Sequence, residues 1–428
     1  MTDEGGPLAV ERMLSRMRDR ELYATILGLS APWKVVDVDL APDQETVDVH
    51  VETAGIRRFP CPECGELSPK RDHRVRRWRH LDTCQYRTTL VAKIPRVECP
   101  SHGVLQVKVP WAEAGSRFTA LFEAIAIDWL REASVNAVSR RLGLSWDEVD
   151  GIMQRAVKRG LARRLVKSVT RIGIDETSFQ KRHEYVTVVN DLTEGEVLYV
   201  ADDRKEASLD GFFDQYAPGE LLEIEVVAMD MWAPYIRAVE ENILGAQERI
   251  CFDKFHVAKH LVDAVDKVRR QEHRSLLEQD DHTLTGSKYT WLQNPWNMGK
   301  RARASLKQLK DIALKTARAW ALKENAMSLW QYVSRTWAEK AWKAWIAWAM
   351  RSRLEPMKRA ARMVRDHLYG IINAIVLRAT NARAESINSK IQRVKRMACG
   401  YRNRERFRNA IYFHLGGLDM LPATHTKP

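Results

Sequence analysis

The sequence predicts a multidomain α+β chain, and three observations predict it. Two Cys-Pro-x-[Cys/His]-Gly knuckles sit among alternating apolar and polar residues in the first hundred or so positions. A helical stretch from Phe118 is broken at Leu142-Gly143-Leu144. From residue 170, short apolar strands pass into helices that dominate the rest of the chain. Strands repeat every two residues and helices every 3.6, so each change of period marks a boundary.

Composition bounds the function. Of 428 residues 45% are apolar, yet no run of eighteen uncharged apolar residues occurs, so no membrane-spanning helix is expected. The start, "MTDEGGPLAVERMLSRMRDR", lacks the apolar core of a signal peptide, and a cytoplasmic, nucleoid-associated protein is expected. Lys and Arg number 69 against 56 Asp and Glu, and the resulting +13 suits a polyanion such as DNA. Six cysteines are too few for a disulfide scaffold, and in the cytosol paired cysteines more often mean metal.

Residues 1–112 read as a β module. "WKVVDVDL" and "ETVDVHV" alternate about the turn "APDQ", the mark of a hairpin with one buried face. Cys61-Pro62-Glu63-Cys64-Gly65 and Cys99-Pro100-Ser101-His102-Gly103 can bring four ligands, Cys61, Cys64, Cys99 and His102, around one structural Zn²⁺. Four protein ligands leave no open position for water, which argues against a catalytic zinc. Cys84, on an alternating stretch, reads as a buried strand residue rather than a ligand. Between the knuckles Arg74, Arg76, Arg77 and Arg79, with Arg71, gather round Trp78, and a basic run there can neutralise phosphates.

Residues 113–168 read as a helix-turn-helix. After "FTALFEAIAIDWLRE", a short helix meets the Gly143 turn, and Ser145 with Glu148 forms a capping box that starts a second helix at Trp146. Such a helix can lie in the major groove. Trp146, at its start, is a candidate DNA contact.

Residues 169–257 give the order that defines a ribonuclease-H-like plan. "RIGID", "EYVTVVND" and "EVLYVAD" form a three-strand meander, a helix follows, and "LEIEVVAMDMW" and "ERICFDKFH" each run from strand to helix. Asp175 and Asp230 then fall side by side at strand ends. Two such carboxylates repel each other unless a hard cation, Mg²⁺ or Mn²⁺, lies between them. Read singly, Asp175 is an ordinary strand-end residue and Asp230 a helix cap. Asp253 and His256 are given a supporting place near the site, with helix capping as the plainer role of Asp253; Glu176 should face the opposite side of its strand.

Residues 258–376 carry helical runs with Trp320, Trp330, Trp337, Trp342, Trp345 and Trp348, read chiefly as helix packing. Residues 377–428 open on a polar, basic helix that carries Glu385, and such a helix must face solvent, metal or a polyanion. Lys390, Arg393, Lys395, Arg396 and Arg402 on or past it are candidate phosphate contacts.

The set "GIDETS", "AMDMW", "CFDKFH" and "NARAESINSKIQRVKRMACGYRN" resembles the ISL3 family of insertion-sequence DDE transposases. The resemblance implies a ribonuclease-H-like catalytic domain with an acidic triad at Asp175, Asp230 and Glu385, interrupted by an all-α insertion. The 385 − 230 = 155 positions between the last two acids agree with such an insertion. Implied partners are double-stranded DNA, as terminal inverted repeats and target, and a second copy of the chain, because two DNA ends must be paired. The expected chemistry is in-line displacement at phosphorus with two Mg²⁺ (or Mn²⁺) ions about 4 Å apart, first by water and then by the freed 3′-hydroxyl. A DNA-binding regulator that has lost catalysis and a structure-specific nuclease of similar fold stand as alternatives.

Overall fold

Two compact units, dividing after Arg164 and again after Gly417, make up the chain, and the residues from Leu418 onward belong with the first. The computed structural model describes residues 19–180, 184–293, 297–312, 314–379 and 382–422. Residues 1–18, on which the expectation about export rested, and Thr380-Asn381 at the start of the C-terminal motif lie outside them.

In the first unit the expected hairpin forms. β1 (Trp33–Ala41) and β2 (Thr46–Thr53) are antiparallel, and Val47, Val49 and Val51 all turn inward, as a period of two requires. β2 runs parallel to β5 (Arg87–Cys99), β5 pairs antiparallel with β4 (Leu67–Arg79), and β3 (Arg58–Pro60) completes the order β1-β2-β5-β4-β3. β6 (Gly103–Gln106) adds to the far end of β5. Three tryptophans fill the core: Trp111 meets Trp33 and Trp78 edge to face, at 4.8 and 5.6 Å between ring centres.

Three helices follow, Ala120–Glu132, Val135–Leu142 and Trp146–Arg163. Thr119 and Ser134 cap the first two, and Gly143 takes φ 64°, a left-handed conformation that glycine reaches without strain. Buried Glu123 accepts from Arg155 at 2.6 Å and from Arg159 at 3.1 Å, which fixes the third helix on the first. The C-terminal segment comes back onto this third helix: Arg163 donates to the Leu421 carbonyl at 2.6 Å, and Gly160 leaves no room for a side chain beneath Leu418.

The second unit is built on a five-stranded sheet in the order β11-β10-β7-β8-β9. β7 (Arg171–Gln180), β8 (Glu184–Asp191) and β9 (Val197–Ala201) form the antiparallel meander. β10 (Val226–Met229) lies parallel to β7, and β11 (Ile250–Phe252) parallel to β10. From Lys254 to Val376 every element among the described residues is a helix. Those helices share one apolar core with the sheet, through Val257, Leu261, Trp342, Trp345, Ile371 and Ile372. Trp342 and Trp345 are packing residues, as read from sequence, and Trp345 Nε1 donates to the Leu322 carbonyl at 2.8 Å. Trp337 and Trp348 are exposed.

The Leu368–Val376 helix closes on the edge of the sheet. Asn373 Nδ2 donates to the Ile250 and Gln247 carbonyls, at 2.9 and 2.8 Å. At Gly370 the backbone presses on Phe252, and a Cβ there would come within 2.4 Å of its ring. Phe252 is fully buried and has nowhere to move. Gly370→Ala should therefore cost about 1–3 kcal/mol, read as a lower midpoint of urea unfolding.

Candidate active site

The zinc quartet assembles as its spacing predicts. Cys61, Cys64, Cys99 and His102 place one ligand atom each within 4.8 Å of all the others, and they are the one such group of Cys, His, Asp or Glu among the described residues. Cys64 Sγ lies 3.7 Å from Cys99 Sγ, and Cys99 Sγ 3.5 Å from His102 Nδ1. With Zn–S bonds of about 2.3 Å, a tetrahedral site has S···S edges of about 3.8 Å. Gly65, at φ 76°, lets the first knuckle turn so that its amide donates to the Cys61 carbonyl at 2.9 Å. The His102 imidazole beside it pulls the Cys99 thiol down to about 6, toward the thiolate that zinc requires. The donor set fits a structural zinc ion.

Cys84 differs from its expected place. It sits exposed at φ 56° in the turn between Thr83 and Tyr86, where strand pairing has already ended. Arg79 also departs from the reading. Its guanidinium turns back into the module, bound to Asp82 and to the His80 and Thr88 carbonyls, so it is a structural residue rather than an outward cation. Arg76 stacks on Trp78 at 5.0 Å, Arg77 pairs with Asp48 at 2.6 Å, and Arg74 is exposed.

The helix-turn-helix carries its capping box at Ser145 and Glu148, with Trp146 half-buried at the start of the second helix. A polar cleft of about 370 Å³ lies between the Gly143 turn and the sheet, and Arg87, Arg140 and Arg141 line it. The sequence does not group these three, because only the fold brings Arg87 beside Arg140 and Arg141. Arg141 lies over the Trp129 ring at 4.3 Å, which holds it in position. Arg140→Ala with Arg141→Ala should weaken DNA binding for every sequence alike and reduce the salt slope by about 2, one per phosphate lost, in a titration across salt concentrations.

In the second unit the register aligns the first two acids. Gly173 is partnered with Ala228, so Asp175 and Asp230, each two positions on, fall at the same level of neighbouring parallel strands. Ala228 is in turn partnered with Cys251, which puts Asp253 at that level one strand further. Burial pushes Asp175 up to about 6, against the Glu176 amide and His256, and the charge of Asp230 adds to the rise. Burial likewise raises Asp230, opposed by His256 and by the Trp232 amide that bonds its Oδ1 at 3.0 Å. Two carboxyls whose ionised forms are made costly by burial are a donor set that a divalent cation relieves.

Glu385 lies exposed on the Ala382–Met397 helix, which runs alongside β7. One turn further on, Asn388 Nδ2 donates to Asp175 Oδ2 at 2.6 Å; then Gln392 Nε2 donates to Thr177 Oγ1 at 2.8 Å. The helix thus follows Asp175 and Thr177, alternate residues of one strand face. Glu176 faces the other way and meets Arg204 at 3.2 Å, as strand alternation predicts. No local pattern in the sequence marks Asn388 or Arg204. Arg204 lies over the rings of Tyr185 and Trp232, at 4.7 and 4.9 Å, and its charge reaches Asp230.

Asp253 caps the helix that begins at Lys254, its carboxylate accepting from the Phe255 amide at 3.1 Å. Of the cations on the Glu385 helix, Lys395 is not free for a phosphate: its Nζ donates to the Ser178 carbonyl at 2.8 Å, and burial lowers its pKa. Lys390, Arg393 and Arg396 are exposed, as is Arg402 beyond them. Among the described residues no helix is long and apolar enough to cross a membrane.

Residues 172–411 match the ISL3-type DDE family described as transposase. Residues 107–157 match the helix-turn-helix domain of transposase family ISL3, and residues 57–102 the zinc-finger of transposases IS204, IS1001, IS1096 and IS1165. The transposase for insertion sequence element IS1557 of Mycobacterium tuberculosis, from strains CDC 1551 and H37Rv, is 28% identical over 447 aligned residues, covering 96% of this chain and 99% of that protein. The transposase for insertion sequence element IS1001 of Bordetella parapertussis is 26% identical, covering 91% and 97%. The match at residues 172–411 takes in more than half of the chain, which therefore belongs to the ISL3 family of DDE transposases.

Proposed function

We propose that this transposase cuts DNA at the terminal inverted repeats of its insertion sequence and joins the freed ends to target DNA, with Asp175, Asp230 and Glu385 as the acting carboxylates. The observation that carries the assignment is the placement of Asp175 and Asp230 at one level of adjacent parallel strands, where burial raises both their pKa values. The strand order, with a parallel pair added to an antiparallel meander, supports a ribonuclease-H-like core, and the helices between Lys254 and Val376 support an all-α insertion within it.

Asp175, Asp230 and Glu385 would hold two divalent cations, Mg²⁺ or Mn²⁺. Such ions lower the pKa of an attacking water or 3′-hydroxyl and stabilise the leaving oxygen. Asn388 orients Asp175, holding one carboxylate oxygen from the same helix that presents Glu385. Lys390, Arg393, Arg396 and Arg402 give that helix and the turn beyond it a basic outer face for the phosphates. The zinc module and the helix-turn-helix bind duplex DNA, with Arg74, Arg140 and Arg141 as outward cations. A homodimer pairs the two ends, and the protein acts at the nucleoid in the cytoplasm.

The test is cleavage and joining of labelled duplexes that carry the element's ends, with Mg²⁺ or Mn²⁺. Wild type should cut and join. Asp230→Ala and Glu385→Ala should bind the ends but do neither, and a Glu385→Ala protein that still cuts would remove Glu385 from the site.

A further inference from the structure

Beside Glu385 the second unit holds a cavity of about 660 Å³, within the range of small-ligand sites. Its walls come from the start of the helix after β11, from the turn after Ser328 and from the end of the Leu368–Val376 helix. Three large apolar side chains in these walls stand exposed: Phe255, Tyr332 and Val333. Exposed apolar surface on a basic, DNA-handling unit marks a contact rather than a solvated face.

We propose that this cavity receives one unpaired base of the substrate, from a nucleotide next to the scissile phosphate. This rests on the assignment of Glu385 to the active site. A paired duplex offers its phosphates and sugars outward and keeps its bases stacked, so aromatic walls find nothing on it to hold. An extruded base presents a flat apolar face that stacks on such rings. Asp253 is level with Asp230 across the sheet, and Glu385 lines the cavity, which puts the base within a nucleotide or so of the phosphate the carboxylates act on. Arg378, also in the wall, supplies a cation for that nucleotide's own phosphate.

The experiment measures single-turnover cleavage of element-end duplexes by wild type and by Phe255→Ala/Tyr332→Ala, with an abasic site walked over the two nucleotides on either side of the scissile phosphate. Both side chains are exposed, so the double variant keeps its fold. On fully paired DNA it should cut about ten- to a hundredfold more slowly, the worth of a lost base stack. At one abasic position the two proteins should cut at the same rate, because there is no base left to hold. Equal rates on paired DNA, or a deficit that no abasic position removes, would overturn the proposal. So would a double variant that cuts normally but no longer self-associates, which would assign the cavity to a side chain of a second copy. Asp230→Ala run in parallel separates the two claims: if it still cuts, the carboxylate site is wrong, and if only the cavity variant behaves as wild type, the base pocket alone fails.

Discussion

Alanine in place of Asp230 should lower strand cleavage and joining by at least about a thousandfold, because the stabilisation a bound cation gives the transition state is several kcal/mol and each 1.4 kcal/mol is a factor of ten. Binding of the element's ends should survive, since the zinc module and the helix-turn-helix belong to the other unit. Loss of DNA binding along with cleavage and joining would mean unfolding, which a melting curve of the variant detects.

The same carboxylates make a second, opposite expectation for stability. Asp175 in the folded protein titrates near 6, above the roughly 3.9 of an unfolded chain, so the folded state holds the proton more tightly. Between these values stability falls as pH rises, and the deficit then persists at neutral pH, at about 3 kcal/mol. Asp175→Asn should therefore raise the melting temperature of the metal-free protein at pH 7 by a few degrees and flatten its dependence between pH 4 and 6, while abolishing cleavage. Asn388 can still donate to the new amide oxygen, but the Glu176 amide, which donates to the other carboxylate oxygen at 2.7 Å, then faces an NH2 group, so part of the gain is offset. A metal-free variant that melts below wild type at pH 7 would contradict the electrostatic reading.

Removing zinc, by chelation or by Cys99→Ser, should have the largest effect in the first unit, because a structural zinc contributes about 10–16 kcal/mol to a small site. The loss should be local. The ribbon end is held by the metal and by the small cluster Phe59, Val97 and Val107, whereas Trp33, Trp78 and Trp111 make their own core at the other end of the sheet. Hydrogen exchange should accelerate about a thousandfold or more in β3 and β6 and much less in β1 and β2. Uniform acceleration through the sheet would show instead that the metal organises the whole module.

Local chemistry was legible in the sequence, and long-range partnership was not. The knuckles could be read because zinc fixes both ligand type and spacing, and the second helix because Ser145 and Glu148 cap it from three residues apart. Asp230 stands out because it ends an apolar strand; Asp175 reads the same way from the polar residues after it, but β7 continues past it to Gln180, which leaves it mid-strand. Asn388 carries no such mark: its partner is 213 positions away, and only the packing of its helix on β7 joins them. The charged neighbours of Arg79 and Lys395 suggest outward cations, yet a long side chain can turn its head back to a carbonyl that the sequence does not reveal. The C-terminal segment has no periodicity, so nothing in it announces its return to the third helix of the first unit. Cys84 was placed in a strand by alternation that the turn at φ 56° interrupts.

The most direct test is to count bound Mn²⁺ by electron paramagnetic resonance in the complex with an element-end duplex, for wild type, Asp175→Asn, Asp230→Asn and Glu385→Gln. Two ions per active site in wild type, with each substitution losing at least one, would bear out the three-carboxylate centre. Unchanged occupancy in Glu385→Gln, or no Mn²⁺ bound beyond that held by the duplex alone, would contradict it.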